Sequence, residues 1–159
     1  MEKEKDLYGG FVPNTIILAL CSSEAYNGSY SKNTFNFHHY NLNCIDVTIN
    51  GKPTPYEPLK PDFENGDYTS CYLTLFDKSE QNGQLISKKD YPNGFCIFVF
   101  RLQSQSGGDL YSREKSGNLR IKLKFSKALK ENVTVILYAK FPEVVTINGS
   151  RNVELAYKS

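Results

Sequence analysis

The run Leu119-Arg120-Ile121-Lys122-Leu123-Lys124-Phe125 alternates apolar and basic residues without a break. A period of two belongs to an extended strand, since successive side chains leave opposite faces. One face must meet an apolar layer and the other water, which requires a sheet half buried against a second layer. Thr15 to Cys21 is β-branched and nearly all apolar, the pattern of a central strand covered on both faces. Gly94 to Leu102 is the strongest strand signal, and Leu42 to Ile49 is another. Asn132 to Phe141 adds a strand with Val133, Val135, Leu137 and Ala139 on one face. At 159 residues the chain fits one domain with a real core.

Punctuation between these runs is equally β-like. Asn50-Gly51 and Asn148-Gly149 are strong hairpin signals, the second lying between Glu143–Ile147 and Asn152–Tyr157. Pro53, Pro55, Pro58 and Pro61 make Lys52 to Asp62 an extended loop or a sheet edge, because proline cannot donate into a ladder. Only Asp67 to Phe76 has a helical period, with Tyr68, Cys71, Tyr72, Leu75 and Phe76 on one face and Asp67 as a cap. Ser22 or Ser23 caps a short helical turn through Tyr26, closed by Asn27-Gly28. Lys78 to Pro92 and Gln103 to Lys115 read as polar loops, the first with a short turn at Ser87 to Asp90. Residues 1–12 are expected to be a flexible segment, charged to Asp6 and then glycine-rich. The remainder, 13–159, reads as one all-β domain, a β-sandwich with one short internal helix.

The densest stretch is Phe35-Asn36-Phe37-His38-His39-Tyr40-Asn41-Leu42-Asn43, with three aromatics, two histidines and three asparagines. Phe35 and Phe37 share parity, so on an extended chain they face one way and Asn36 and His38 the other. That reading makes the stretch a structural strand entering a sheet. Together with Ala25–Tyr30, Asn33–Asn43, Pro58–Phe63, Asp90–Gly94, Gly117–Ile121, Phe125–Leu129 and Tyr138–Phe141, it resembles a family widespread in invertebrate genomes. That family is associated with the capsid-like jelly-roll proteins of Polinton/Maverick transposons and adintoviruses. The likeness runs from about Pro13 to Tyr157, and the family's members are longer, so the chain resembles their C-terminal part. Thr34 stands where the family pattern has proline, and Cys44 and Cys96 where it has large apolar or aromatic residues. The resemblance implies a jelly-roll form of the sandwich and a virion or intracellular setting.

Several chemistries lack the residues they need. Net charge is +2, and no basic stripe beyond Arg120, Lys122, Lys124, Lys127 and Lys130 is evident, so tight nucleic-acid binding is not expected. Cys21, Cys44, Cys71 and Cys96 have neither zinc spacing nor a histidine pair, and read as buried thiols, with disulfides as the alternative. Asn27-Gly28-Ser29, Asn132-Val133-Thr134 and Asn148-Gly149-Ser150 match the glycosylation sequon, an unremarkable number in a chain rich in Asn and Ser. No leader or membrane-spanning run is read from the sequence. His38 and His39 are adjacent and, on a strand, would point to opposite faces. Asp62, Glu64 and Asp67 cluster after prolines without the EF-hand spacing. No nucleophile elbow, phosphate loop or carboxylate pair is present.

The expectation is therefore a non-enzymatic assembly domain without catalytic residues, cofactor or metal, making contacts with itself or with other capsid-like proteins. In that reading the aromatic stretch is framework, and Lys52–Asp62 and Gln103–Lys115 meet neighbours. The alternative is a carbohydrate- or ligand-binding module whose surface is built from Tyr26, Tyr30, Tyr40 and Tyr56. A third possibility is a hydrolase with His39 as base.

Overall fold

The computed structural model describes residues 2–54, 57–76, 86–102, 116–141, 145–147, 149–151 and 153–155. In chain order the elements are β1 (Glu2–Phe11), β2 (Thr15–Ser22), α1 (Ser23–Asn27), β3 (Phe37–His38), β4 (Leu42–Ile49), β5 (Lys52–Pro53), α2 (Thr69–Leu73), β6 (Asn93–Gly94), β7 (Ile97–Arg101), β8 (Ser116–Phe125), β9 (Val133–Lys140), β10 (Val145–Ile147) and β11 (Val153–Leu155). One sheet has the order β1-β8-β4-β5 and another β7-β2-β9, every pairing antiparallel. Two small pairs, β3-β6 and β10-β11, complete the set among the described residues. The chain is all-β, as its periodicity requires.

The two large sheets share one core. Ile16, Leu18 and Leu20 of β2 and Phe98 and Phe100 of β7 pack with Ile45 and Val47 of β4 and Leu119, Ile121, Leu123 and Phe125 of β8. In β8 the alternation is realised as read: the apolar residues are buried and Arg120, Lys122 and Lys124 are not. β2 is the middle strand of its sheet, and six of its eight residues are buried. Each large apolar side chain so buried contributes about 1.5–3 kcal/mol, and this shared layer holds the sheets together.

The segment 1–12, expected to be flexible, contributes edge strand β1, which pairs antiparallel with β8. In that register Glu2, Glu4 and Asp6 fall opposite Lys124, Lys122 and Arg120. A register shift between Asp6 and Tyr8 marks a bulge.

The aromatic stretch is also corrected. Phe37–His38 is strand β3 and Leu42–Asn43 begin β4; Thr34–Phe35 is a turn, and Tyr40 and Asn41 take positive φ of 47° and 54°. The Leu42 N–H closes that turn on the His39 carbonyl at 2.8 Å. Asparagine tolerates this backbone, so Tyr40-Asn41 forms a tight turn between β3 and β4. Helix is shorter than the periodicity predicts: α2 covers five residues of the expected ten-residue span, consistent with its Tyr, Thr and Cys content. The short turn at Ser23 is a second five-residue helix, closed as expected at Gly28.

Both Asn-Gly hairpins are present. Asn50 and Gly51 form a two-residue turn with φ of 52° and 76° between β4 and β5. The second hairpin pairs β10 with β11 through a longer loop in which Arg151 has φ of 62°. The strand read over Gly94–Leu102 is divided into β6 and β7. Gly94 has φ of 101° and backs so closely on Asn36 that a Cβ would stand 2.5 Å from Oδ1. The expected loop Gln103–Lys115 lies outside the described residues, as do residues 77–85 of the other loop.

Candidate functional site

A chain of rings runs from the aromatic stretch into the core. His39 stacks on Phe63 at 4.2 Å, Phe63 on Tyr68 at 5.5 Å and Tyr68 on Tyr91 at 6.0 Å. Tyr91 then meets Tyr72 and Phe98 edge-on at 5.6 and 6.4 Å. Its hydroxyl donates to the Ile97 carbonyl at 2.9 Å, so this buried ring is also satisfied as a polar group. Such pairs add about 0.5–1.5 kcal/mol each beyond their burial. The stack ties the Tyr40 turn and α2 to β7.

His39 belongs to this framework. Its Nδ1 accepts the Asn41 N–H at 3.0 Å. Burial, and then neighbouring His38, lower its pKa and favour the neutral ring that can accept that bond. A general base needs a lone pair free toward substrate, and Nδ1 is already engaged. Burial pushes the thiols of Cys71 and Cys96 up to about 12, away from thiolate chemistry. All four cysteines are free.

At one end of the sandwich a cleft of about 570 Å³ is lined by His38, His39, Tyr40, Asn41 and residues 127–131. Its wall is braced by Lys32, whose Nζ lies 2.8 Å from Glu24 and 3.0 Å from Glu131. Ser22 and Tyr40 donate to the same Glu131 carboxylate at 2.9 and 3.2 Å. These bonds, Lys32 first, hold the Glu131 carboxyl below its ordinary range. Burial, then Glu131, pushes the Tyr40 phenol up to about 12. Lys127, which lines the cleft, pairs with Glu64.

The tyrosines named from sequence do not converge. Tyr40 lines the cleft, but its hydroxyl is bonded to Glu131. Tyr26 and Tyr30 are exposed on the segment around α1 and are not in the cleft wall. Tyr56 lies outside the described residues. Asp62 is spent on its own loop, accepting from the backbone of Glu64 and Asn65 and the Asn65 amide. Among the described residues no group of three or more His, Cys, Asp or Glu side chains is arranged around a common point for a metal. None of their helices is long and apolar enough to cross a membrane.

The β7-β2-β9 sheet has two unlike edges. On the β7 side the Val99 N–H donates to Thr74 Oγ1 at 3.2 Å, and Thr74 donates on to the Cys71 carbonyl at 2.7 Å. Arg101 Nη1 reaches the Thr74 carbonyl at 2.9 Å. α2 and the residue after it therefore cap this edge. β9 pairs on one side only among the described residues. Its ladder starts from the Ser23 N–H on the Asn132 carbonyl, so alternation aims the backbone groups of Val133, Val135, Leu137 and Ala139 outward. Val135 is 47% exposed, Tyr138 61% and Phe141 40%. Val133, Val135 and Leu137 were read on one face; Val133 and Leu137 pack against the core and Val135 is exposed. The Thr74–Val99, Lys32–Glu131 and Ser22–Glu131 contacts escaped sequence reasoning because their partners lie 25, 99 and 109 residues apart.

The chain is 28% identical to an uncharacterized protein of Caenorhabditis elegans over an alignment of 159 residues that covers 92% of this chain and 37% of the nematode protein. The chain thus spans little more than a third of that relative's length. No protein-family model matches the chain. No solved structure matches it.

Proposed function

We propose that this chain is a non-enzymatic assembly domain, a jelly-roll sandwich of the capsid-like kind whose work is contact with other protein chains. The observation that carries the reading is the open β9 edge. Edges with unpaired backbone groups that display apolar side chains are templates for pairing. Here one edge of a sheet is capped and the other carries Val135 and Tyr138. The sequence resemblance to Polinton/Maverick and adintovirus capsid-like proteins points the same way. Partners are then further copies or other capsid-like proteins, in a virion or inside a cell, with no tight hold on nucleic acid.

Sedimentation velocity tests this. Wild-type protein should associate with rising concentration, and Val135→Lys/Tyr138→Lys should weaken that association at least tenfold while far-UV circular dichroism stays unchanged. A wild-type chain that stays monomeric to millimolar concentration, alone and with candidate partners, overturns the reading. A second reading, a carbohydrate- or ligand-binding module, is favoured by the cleft beside Tyr40. It is set aside if a glycan array gives no signal at high protein concentration.

A further inference from the structure

Six asparagines are followed by glycine: Asn27, Asn50, Asn65, Asn82, Asn93 and Asn148. This dipeptide has its own chemistry. The glycine amide nitrogen loses its proton and attacks the asparagine Cγ. The N–Cγ bond forms, the Cγ–Nδ2 bond breaks, and ammonia leaves with the proton, giving a five-membered succinimide. Water then opens either carbonyl of the ring, leaving aspartate or isoaspartate. Glycine lets this happen because no Cβ obstructs the approach. The step needs an asparagine amide free to rotate, a following N–H that is free, and a backbone able to move.

Four of the six lie in the described residues, and the fold sorts them. Asn50 Oδ1 accepts the Asn118 N–H at 2.8 Å, and its amide lies against Gly117, where a Cβ would stand 2.8 Å from Nδ2. Asn65 Nδ2 donates to Asp62 at 2.6 Å, and its own N–H is held by the same carboxylate. Asn93 Nδ2 donates to the Lys89 carbonyl at 3.0 Å, and the residue pairs with His38 in the β3-β6 ladder. Each amide is held by a hydrogen bond that it would have to give up to react.

Asn27 is exposed like the other three, but its side chain makes no hydrogen bond among the described residues. It ends the five-residue α1, and the Gly28 N–H is held by one bond of 3.2 Å to the Ala25 carbonyl. Nothing lies within 4 Å of where a Gly28 Cβ would stand. Helix ends of this kind open readily, and opening frees the nucleophile beside an amide that is already free.

We infer that Asn27 is a site of spontaneous deamidation, reacting well ahead of Asn50, Asn65 and Asn93. The product places a new carboxylate, and in the isoaspartyl form an extra backbone carbon, between the exposed rings of Tyr26 and Tyr30. It also adds negative charge beside the segment where Lys32 already balances Glu24 and Glu131.

The test is incubation of the full chain in mildly alkaline buffer, followed by peptide mapping with mass spectrometry and isoaspartyl detection. In the folded protein, conversion at Asn27 should run at least tenfold faster than at Asn50, Asn65 or Asn93. In denaturant the four rates should draw together, since every amide and every glycine nitrogen is then free. Asn27→Gln should remove the fast product and leave the other three rates alone. Native conversion at any of those three that equals or exceeds Asn27 overturns the proposal. So does an Asn27 that converts in denaturant but stays intact in the folded chain.

Discussion

The β7 and β9 edges belong to one sheet and flank the same central strand, yet among the described residues one is capped by α2 and the other has no neighbour. At β7 a threonine hydroxyl stands in for the missing neighbour strand, accepting the Val99 N–H and passing its own proton to Cys71. At β9 the corresponding backbone groups face outward beside Val135 and Tyr138. Closing an edge takes a hydrogen-bonding group held at ladder distance by a packed element. α2 supplies one because Cys71 and the Tyr68–Tyr91 stack anchor it to the core.

Substitutions break or sharpen this contrast. The largest effect is expected at Phe98→Ala, which empties the core side of the closed edge beneath Tyr91; urea denaturation should show a loss of about 3–5 kcal/mol. A loss under about 1 kcal/mol would mean the ring stack does not anchor β7. Thr74→Val keeps the shape but removes both hydrogen bonds, leaving a half-buried N–H without its partner. It should cost about 1–3 kcal/mol, and the Val99 amide should exchange with deuterium much faster. Unchanged exchange at Val99 would show that the hydroxyl is not what closes the edge.

Tyr138→Lys is the smallest. On an open, exposed edge of the monomer it should change stability by no more than about 0.5 kcal/mol. The Val135 and Leu137 amides should exchange faster than Val99 in dilute wild-type protein. A Tyr138→Lys loss as large as that of Thr74→Val would mean that something covers β9, and the two edges would no longer differ.

What the sequence determined was local. The alternation of β8, the all-apolar β2, the Asn50-Gly51 turn and the turn closed by Gly28 each follow from neighbouring residues, and together they dictate an all-β chain with a two-faced core. Tertiary structure decided whatever depended on a distant partner. β1 became a strand by pairing along β8, which lies far away in the sequence. The Phe35–Asn43 stretch became two strand pieces broken at the Tyr40-Asn41 turn, with His39 stacked on Phe63, rather than the single strand its parity suggests. Val133, Val135 and Leu137 share a parity, yet Val133 and Leu137 pack against the core while Val135 is exposed. Periodicity reports which side chains share a face; only the packed fold determines whether anything lies against it.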